Sequence, residues 1–74
     1  MKEYVCIKDY LVKSRDRVVQ PGEIVMLLGY IAGQHPVIQL GTRHKSGYAH
    51  LDHATAVVFK GFDDYFKPND QAQL

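Results

Sequence analysis

The 74-residue sequence has no tryptophan and a single cysteine, Cys6, which lies between two apolar residues. One cysteine excludes an internal disulfide and a cysteine-based zinc site within one chain, and we expect Cys6 to be a reduced, partly buried thiol. No apolar run approaches the roughly 18 residues that a membrane-spanning helix needs, and no signal-peptide pattern opens the chain. We therefore expect a cytoplasmic protein.

Residue patterns that carry catalysis are also scarce. The two glutamates form no visible acid–base pair, and the two serines lie in predicted loops without a nucleophile motif. No glycine-rich loop of the kind that cradles phosphate is present. A domain of this size also has little room for a substrate cavity. The sequence therefore predicts a protein that is not an enzyme and carries no cofactor.

The four histidines raise the question of a metal site. His50, Asp52 and His53 lie close together in the sequence, and imidazole and carboxylate groups suit zinc. Histidine ligands with this spacing fit a helical turn, however, whereas this segment is predicted to end a strand. We predict surface histidines and no metal site.

Charge gives little indication of a partner, because the net charge is +1. Basic side chains do form two clusters on predicted loops, which would make one patch if the loops converge. These clusters are Lys13, Arg15 and Arg17, and Arg43, His44 and Lys45.

The hydrophobic pattern predicts one small domain built from short strands. Residues 23–31 are the most apolar, as expected of a central strand covered on both faces. Residues 13–17 and 41–47 are predicted loops, and a short strand begins at Val18. The five main predicted strands are residues 3–12, 23–31, 37–40, 48–51 and 55–60, with one turn of 3₁₀ helix at 52–54 and a helical or extended arm from residue 61.

Three segments in this order resemble the SH3 fold: CIKDY at residues 6–10, PGEIVMLLG at 21–29 and SGYAHLDH at 46–53. Asp9 and Tyr10 match the end of the ALYDY segment of SH3 domains. The resemblance covers residues 4–59 and implies an all-β fold, a five-stranded SH3-like barrel with a short 3₁₀ turn before the last strand. We expect the barrel to occupy residues 1–66 and residues 67–74 to form a frayed tail.

The departures from the SH3 pattern alter the function that the resemblance implies. Lys8 replaces one tyrosine of ALYDY, the tryptophan pair is missing, and His50 and His53 replace the proline and tyrosine of the closing turn. We therefore expect no proline-peptide groove, and a small accessory or regulatory binding protein whose partner is another protein. Free-standing barrels of this size are commonest among small accessory or regulatory proteins, including those carried by phages and other mobile elements, an association by analogy alone. The predicted partner-binding residues are Lys8, Tyr10, Arg15, Arg17, His35, Arg43, Lys45, His50 and His53.

Two alternatives stay open. The segment PGEIVMLLGYIAGQHPVIQL resembles the outline of KOW-type barrels, which implies binding to nucleic acid, although the expected basic turn reads Tyr30-Ile31-Ala32-Gly33. The second concerns three aromatic residues near the C-terminus, which either cap the bottom of the barrel or form a homodimer contact. These residues are Phe62, Tyr65 and Phe66.

Overall fold

The structure is a computed structural model that describes residues 2–44 and 54–69. It is mostly β, as the sequence predicts. The strands are β1 (Lys2–Cys6), β2 (Tyr10–Val12), β3 (Arg17–Val19), β4 (Glu23–Ile31), β5 (His35–His44), β6 (Thr55–Val57) and β7 (Phe66–Pro68), with a 3₁₀ turn at Lys13–Arg15 and a one-turn helix, α1, at Phe62–Tyr65.

The strands form two antiparallel sheets. The larger sheet has five strands in the order β6-β5-β4-β1-β7, and β2 and β3 form a separate hairpin. Because β7 pairs with β1, strands from the two ends of the chain lie side by side. Consecutive strands β4, β5 and β6 are neighbours in the same sheet, as is usual for antiparallel folds.

The hydrophobic core lies between one face of the larger sheet and the hairpin. Cys6 and Phe66 are paired across β1 and β7, and each is 1% exposed. Burial of a side chain the size of phenylalanine contributes roughly 1.5–3 kcal/mol. The buried cluster comprises Cys6, Val12, Val19, Val25, Ile38, Leu40, Ala56, Val58 and Phe66.

The predicted first strand, residues 3–12, is divided in the structure. Its two halves, β1 and β2, belong to different sheets. The chain leaves the sheet after Cys6, whose carbonyl accepts the N–H of Gly22 at 2.8 Å and whose thiol lies 3.1 Å from the Lys8 carbonyl. These two bonds hold the Cys6 carbonyl against Gly22 and the Cys6 thiol against Lys8. The chain therefore turns after Cys6 and does not continue as a strand. The predicted loop at 13–17 contains the 3₁₀ turn at Lys13–Arg15.

Strand β4 has the predicted bounds, but only its first half is covered on both faces. Ile24 and Val25 are both buried, whereas Leu28, Tyr30 and Ile31 in the second half are exposed. The register between β4 and β5 shifts twice, and such bulges bend a strand away from its neighbours.

Strand β5 continues through Gly41 to His44, where the sequence predicts a loop. The continuation depends on Gly41, whose φ of 66° is a left-handed conformation that glycine adopts at little cost. Two extra residues of β5 stand between the pairs Met26↔Gln39 and Ile24↔Arg43, so Gly41 lies within a bulge. The predicted strand at 48–51 lies outside the described residues, as does the predicted 3₁₀ turn apart from Ala54.

The aromatic residues of the C-terminal arm pack inside the molecule. The Phe66 ring lies 5.2 Å from the Phe62 ring and 5.5 Å from the Tyr10 ring, measured between centroids. Phe62 and Tyr65 are partly buried against the core. The arm therefore supplies core residues, and a homodimer through it stays a prediction.

Candidate functional site

An apolar groove of about 370 Å³ separates the β2 side of the hairpin from the β6 edge of the larger sheet. One wall comes from β2 and the 3₁₀ turn that follows it, and the other from the end of β6. Among the described residues that line the groove, Lys13 is the only one of a charged type. The lining residues are Tyr10, Leu11, Val12, Lys13, Ser14, Val57 and Phe59.

The hairpin wall is held in place by a buried carboxylate. Glu23 is 8% exposed, and its Oε1 accepts a hydrogen bond from Arg17 Nη2 at 2.9 Å. Its Oε2 accepts the backbone N–H of Gln20 at 2.7 Å. Between these residues the Pro21-Gly22 turn has φ of +95° at Gly22, as a type II turn requires. The ion pair and the turn together fasten β3 to the start of β4.

Tyr10 forms the floor of the groove rather than a free recognition side chain. Its ring is half-buried and makes edge contacts with Tyr65, at 5.1 Å between centroids, and with Phe66. Burial raises the pKa of the Tyr10 phenol, and the neighbouring Tyr65 raises it further. The ammonium group of Lys8 lies 4.8 Å from the centre of the Tyr65 ring, a cation–π distance. The structure thus brings Lys8 and Tyr10 together through Tyr65.

The opposite wall carries Phe59, which is 65% exposed and is the most exposed large hydrophobic residue in the described ranges. Extending the Val37↔Val57 register by two residues places Phe59 across from His35, and their rings lie 5.0 Å apart. His35, a predicted site residue, therefore contacts the groove through Phe59.

Sequence reasoning missed the two apolar residues that dominate the groove. Leu11 is 51% exposed and Phe59 more so. The alternation of the strands contained the signal, because Tyr10 and Val12 face inward around Leu11, and Val58 faces inward before Phe59. A large apolar side chain on the outward position of a strand is the feature that identifies such a site.

The other predicted site residues are distributed more widely. Arg17 is engaged with Glu23 and so has a structural role. Arg15 is exposed on the 3₁₀ turn beside the groove residue Ser14. The backbone of Arg43 lies in β5, and the remaining three predicted residues, Lys45, His50 and His53, lie outside the described residues.

The single cysteine is not available at the groove. Cys6 lies in the core, 1% exposed, and burial raises the pKa of its thiol to about 11. A thiol with such a pKa is protonated near neutral pH and is a poor nucleophile. Within residues 2–44 and 54–69, no three side chains of the histidine, cysteine, aspartate and glutamate types are grouped closely enough to hold a metal ion.

No helix in the described part of the chain is long and apolar enough to cross a membrane. No protein-family model, curated protein or solved structure matches the sequence or the fold. The class of the protein is therefore defined by its geometry: a small, mostly β protein with two antiparallel sheets and an exposed apolar groove between them.

Proposed function

We propose that the protein is a non-catalytic binding module whose groove receives a segment of a protein partner. The observation that carries this proposal is the pair of exposed apolar side chains, Leu11 and Phe59, on opposite walls of one groove. Apolar surface grouped in this way marks interaction sites on small proteins.

The groove has the composition of a recognition site for a peptide. Aromatic side chains with a polar rim dominate the binding energy of many interfaces, and here Tyr10 and Phe59 are flanked by Lys13 and Ser14. Covering the exposed parts of Phe59 and Leu11 contributes about 1–2 kcal/mol each. Together with a few polar contacts, this predicts a dissociation constant on the order of micromolar.

We also propose that the two sheets belong to an SH3-like barrel. In support, a short helical segment, α1, directly precedes the last strand, and that strand pairs with the first. A helical turn directly before the last strand is the order that the sequence resemblance implies. Here it lies at Phe62–Tyr65, and the turn predicted at 52–54 lies outside the described residues apart from Ala54. The groove lies beside the hairpin that follows β1. One edge of the Tyr10 ring packs against Tyr65 and Phe66. The groove is therefore not the open aromatic surface that proline-rich peptides need.

Nucleic acid is the second candidate, favoured by the exposed ring of Phe59 across the groove from Lys13. An exposed aromatic ring beside a cation can stack on bases of a single strand. Two of the other predicted cations are already engaged within the protein, however, since Arg17 binds Glu23 and Lys8 lies over Tyr65. A protein segment is therefore the preferred ligand.

Selection from a displayed library of random peptides tests the proposal. Peptides enriched on the parent protein should lose at least about tenfold in affinity for Phe59→Ser and for Leu11→Ser, because the apolar contact disappears. Tyr30→Ser is the matched control, since Tyr30 is an aromatic residue of similar exposure (57%) that does not line the groove. Equal binding by the parent and Phe59→Ser would reject the groove as the site.

A single-stranded oligothymidine, titrated at low and moderate salt, separates the two ligand classes. Binding that weakens steeply with salt and is lost in Lys13→Gln would favour nucleic acid over a protein segment. We expect no measurable binding of this probe to the groove, even at low salt.

A further inference from the structure

In the part of the chain that the structure describes, the wall of the groove formed by β6 is a free sheet edge. Among the described residues, β6 pairs with β5 alone and ends the five-stranded sheet. The Ala54 carbonyl accepts a hydrogen bond from the Leu40 N–H of β5 at 2.7 Å. The Val58 N–H donates one to the Pro36 carbonyl of β5 at 2.8 Å. In an antiparallel ladder, the residues between those that bond to the neighbouring strand direct their N–H and C=O groups away from it, here away from β5. These outward residues are Thr55 and Val57 in β6 and Phe59, two residues beyond its end.

Two of these three residues, Val57 and Phe59, also line the groove. The outward backbone donors and acceptors of the β6 edge therefore belong to residues that border the groove. A ligand in that space has access to hydrogen bonds as well as to the apolar side chains of Leu11 and Phe59.

The opposite edge of the same sheet is protected, which makes the openness of β6 informative. The residues that flank β7 hold it to the first strand: the Tyr65 carbonyl accepts the N–H of Ile7, just after β1, and the Asn69 N–H donates to the Glu3 carbonyl. Phe66 and Pro68 therefore direct their backbone groups outward. Proline at an outward position removes the N–H that another strand would need, a common protection of sheet edges. The outward positions of β6 carry threonine, valine and phenylalanine, which are residues that favour strand pairing.

We propose that the groove binds its protein partner as an extended strand that adds antiparallel to the β6 edge. The inference rests on the proposed function and specifies its ligand as a partner segment of alternating apolar and small polar residues with one carboxylate. The carboxylate follows from charge complementarity, because Lys13 is the sole charged residue of the lining. β-strand addition obtains affinity from main-chain hydrogen bonds and specificity from pockets for alternate side chains.

The length of β6 limits the size of this ligand. A strand of three residues spans about 10 Å and offers two to four outward hydrogen-bonding groups around Val57. A partner segment of about four to six residues therefore covers the edge and the groove.

The test uses synthetic peptides of about eight residues, alternating valine and threonine, with one aspartate moved through successive positions. At saturation, the best peptide should slow hydrogen exchange at the Val57 and Phe59 amides at least about tenfold. The amide of Tyr30 should exchange at its unliganded rate. If no peptide of the series slows exchange at Val57 and Phe59, the inference is wrong.

Two proline substitutions provide the matched pair. Val57→Pro removes an outward N–H and leaves the bonds to β5 intact, so it converts the β6 edge into one like β7. It should weaken peptide binding at least about tenfold, whereas Pro68→Val, which restores a donor on the β7 edge, should bind like the parent. Two N-methylated peptides give the same comparison without changing the protein: one is methylated on the odd-numbered backbone nitrogens and the other on the even-numbered ones. One of the two should lose binding, because only alternate N–H groups of an added strand face β6.

The outcomes separate this inference from the proposed function. If Phe59→Ser abolishes binding while Val57→Pro and both methylated peptides bind as before, the groove is the site but strand addition is wrong. If library-selected peptides bind Phe59→Ser and Val57→Pro as tightly as the parent, the proposed function fails as well. A peptide-independent dimer of the parent protein, formed through β6 and abolished in Val57→Pro, would assign the edge to a second copy and overturn the choice of partner.

Discussion

Cys6 gives the structure a measurable alkaline limit of stability. Burial raises the pKa of its thiol from 9.0 to about 11, because the core disfavours the thiolate. A hydrogen bond with the backbone of Lys8 lowers the pKa by a smaller amount, and the carboxylates of Glu23 and Asp9 raise it slightly. Since the folded pKa lies above the unfolded one, the contribution of Cys6 is fully present below pH 9.0 and is lost as pH rises toward 11.

The expected loss is about 2 kcal/mol between pH 9 and 11, because each thiol is half titrated at its own pKa and the full difference is reached only above pH 11. This is a large share of the roughly 5–15 kcal/mol that stabilises a typical small domain. Urea unfolding at several pH values, with and without Cys6→Ala, isolates the contribution. The variant starts less stable at neutral pH because of its cavity, and it should lose less stability as pH rises from 9 to 10.

Above pH 10 both proteins should lose stability, since the pKa of the Tyr10 phenol is raised as well. The reasoning is refuted if the parent and Cys6→Ala lose stability in parallel between pH 9 and 10. It is also refuted if the native thiol reacts with a disulfide reagent at pH 8 as fast as the unfolded chain does, because a buried, protonated thiol should be protected.

Two further predictions concern the elements around the groove. Arg17→Met should cost about 2–4 kcal/mol in urea unfolding, because the buried carboxylate of Glu23 loses its guanidinium partner, and Arg17→Lys should recover part of that loss. Ala32→Gly should raise the melting temperature by roughly 2–5 °C in calorimetry, because Ala32 has φ of +56°, which strains residues other than glycine. A melting temperature at or below that of the parent would show that the turn at Ala32 is unstrained.

The strands that the sequence predicts best are those with long apolar runs and clear turn residues. The bounds of β4 follow from the Pro-Gly turn before it and the glycine turn after it. The mostly β character follows from β-branched residues between turns. Local patterns of this kind report the chain's own preferences, and in these elements the tertiary structure agrees with them.

The errors occur where tertiary contacts decide the outcome. Nothing in the alternation of residues 3–12 indicates that the strand breaks after Cys6, because the break depends on bonds to Gly22 and to the Lys8 carbonyl. The pairing of β7 with β1 joins residues more than 60 positions apart, for example Asn69 with Glu3. Such long-range pairing leaves little local signal.

The candidate site shows the same division. Tyr10 and His35 were predicted from a family resemblance. Tyr10 lines the groove and is also part of the core packing, whereas His35 contacts the lining residue Phe59. Leu11 and Phe59 were not predicted, because apolar residues in predicted strands are ordinarily assigned to the core. Their exposure becomes visible only when the packing faces of β2 and β6 are known.

The measurement that tests the account most directly is the affinity of a library-selected peptide for three proteins: the parent, Phe59→Ser and Tyr30→Ser. The account predicts at least about tenfold weaker binding to Phe59→Ser and unchanged binding to Tyr30→Ser. All three proteins should have similar melting temperatures, because both side chains are exposed. Equal affinity for the parent and Phe59→Ser, or a loss confined to Tyr30→Ser, would contradict the central claim that the groove between β2 and β6 is the binding site.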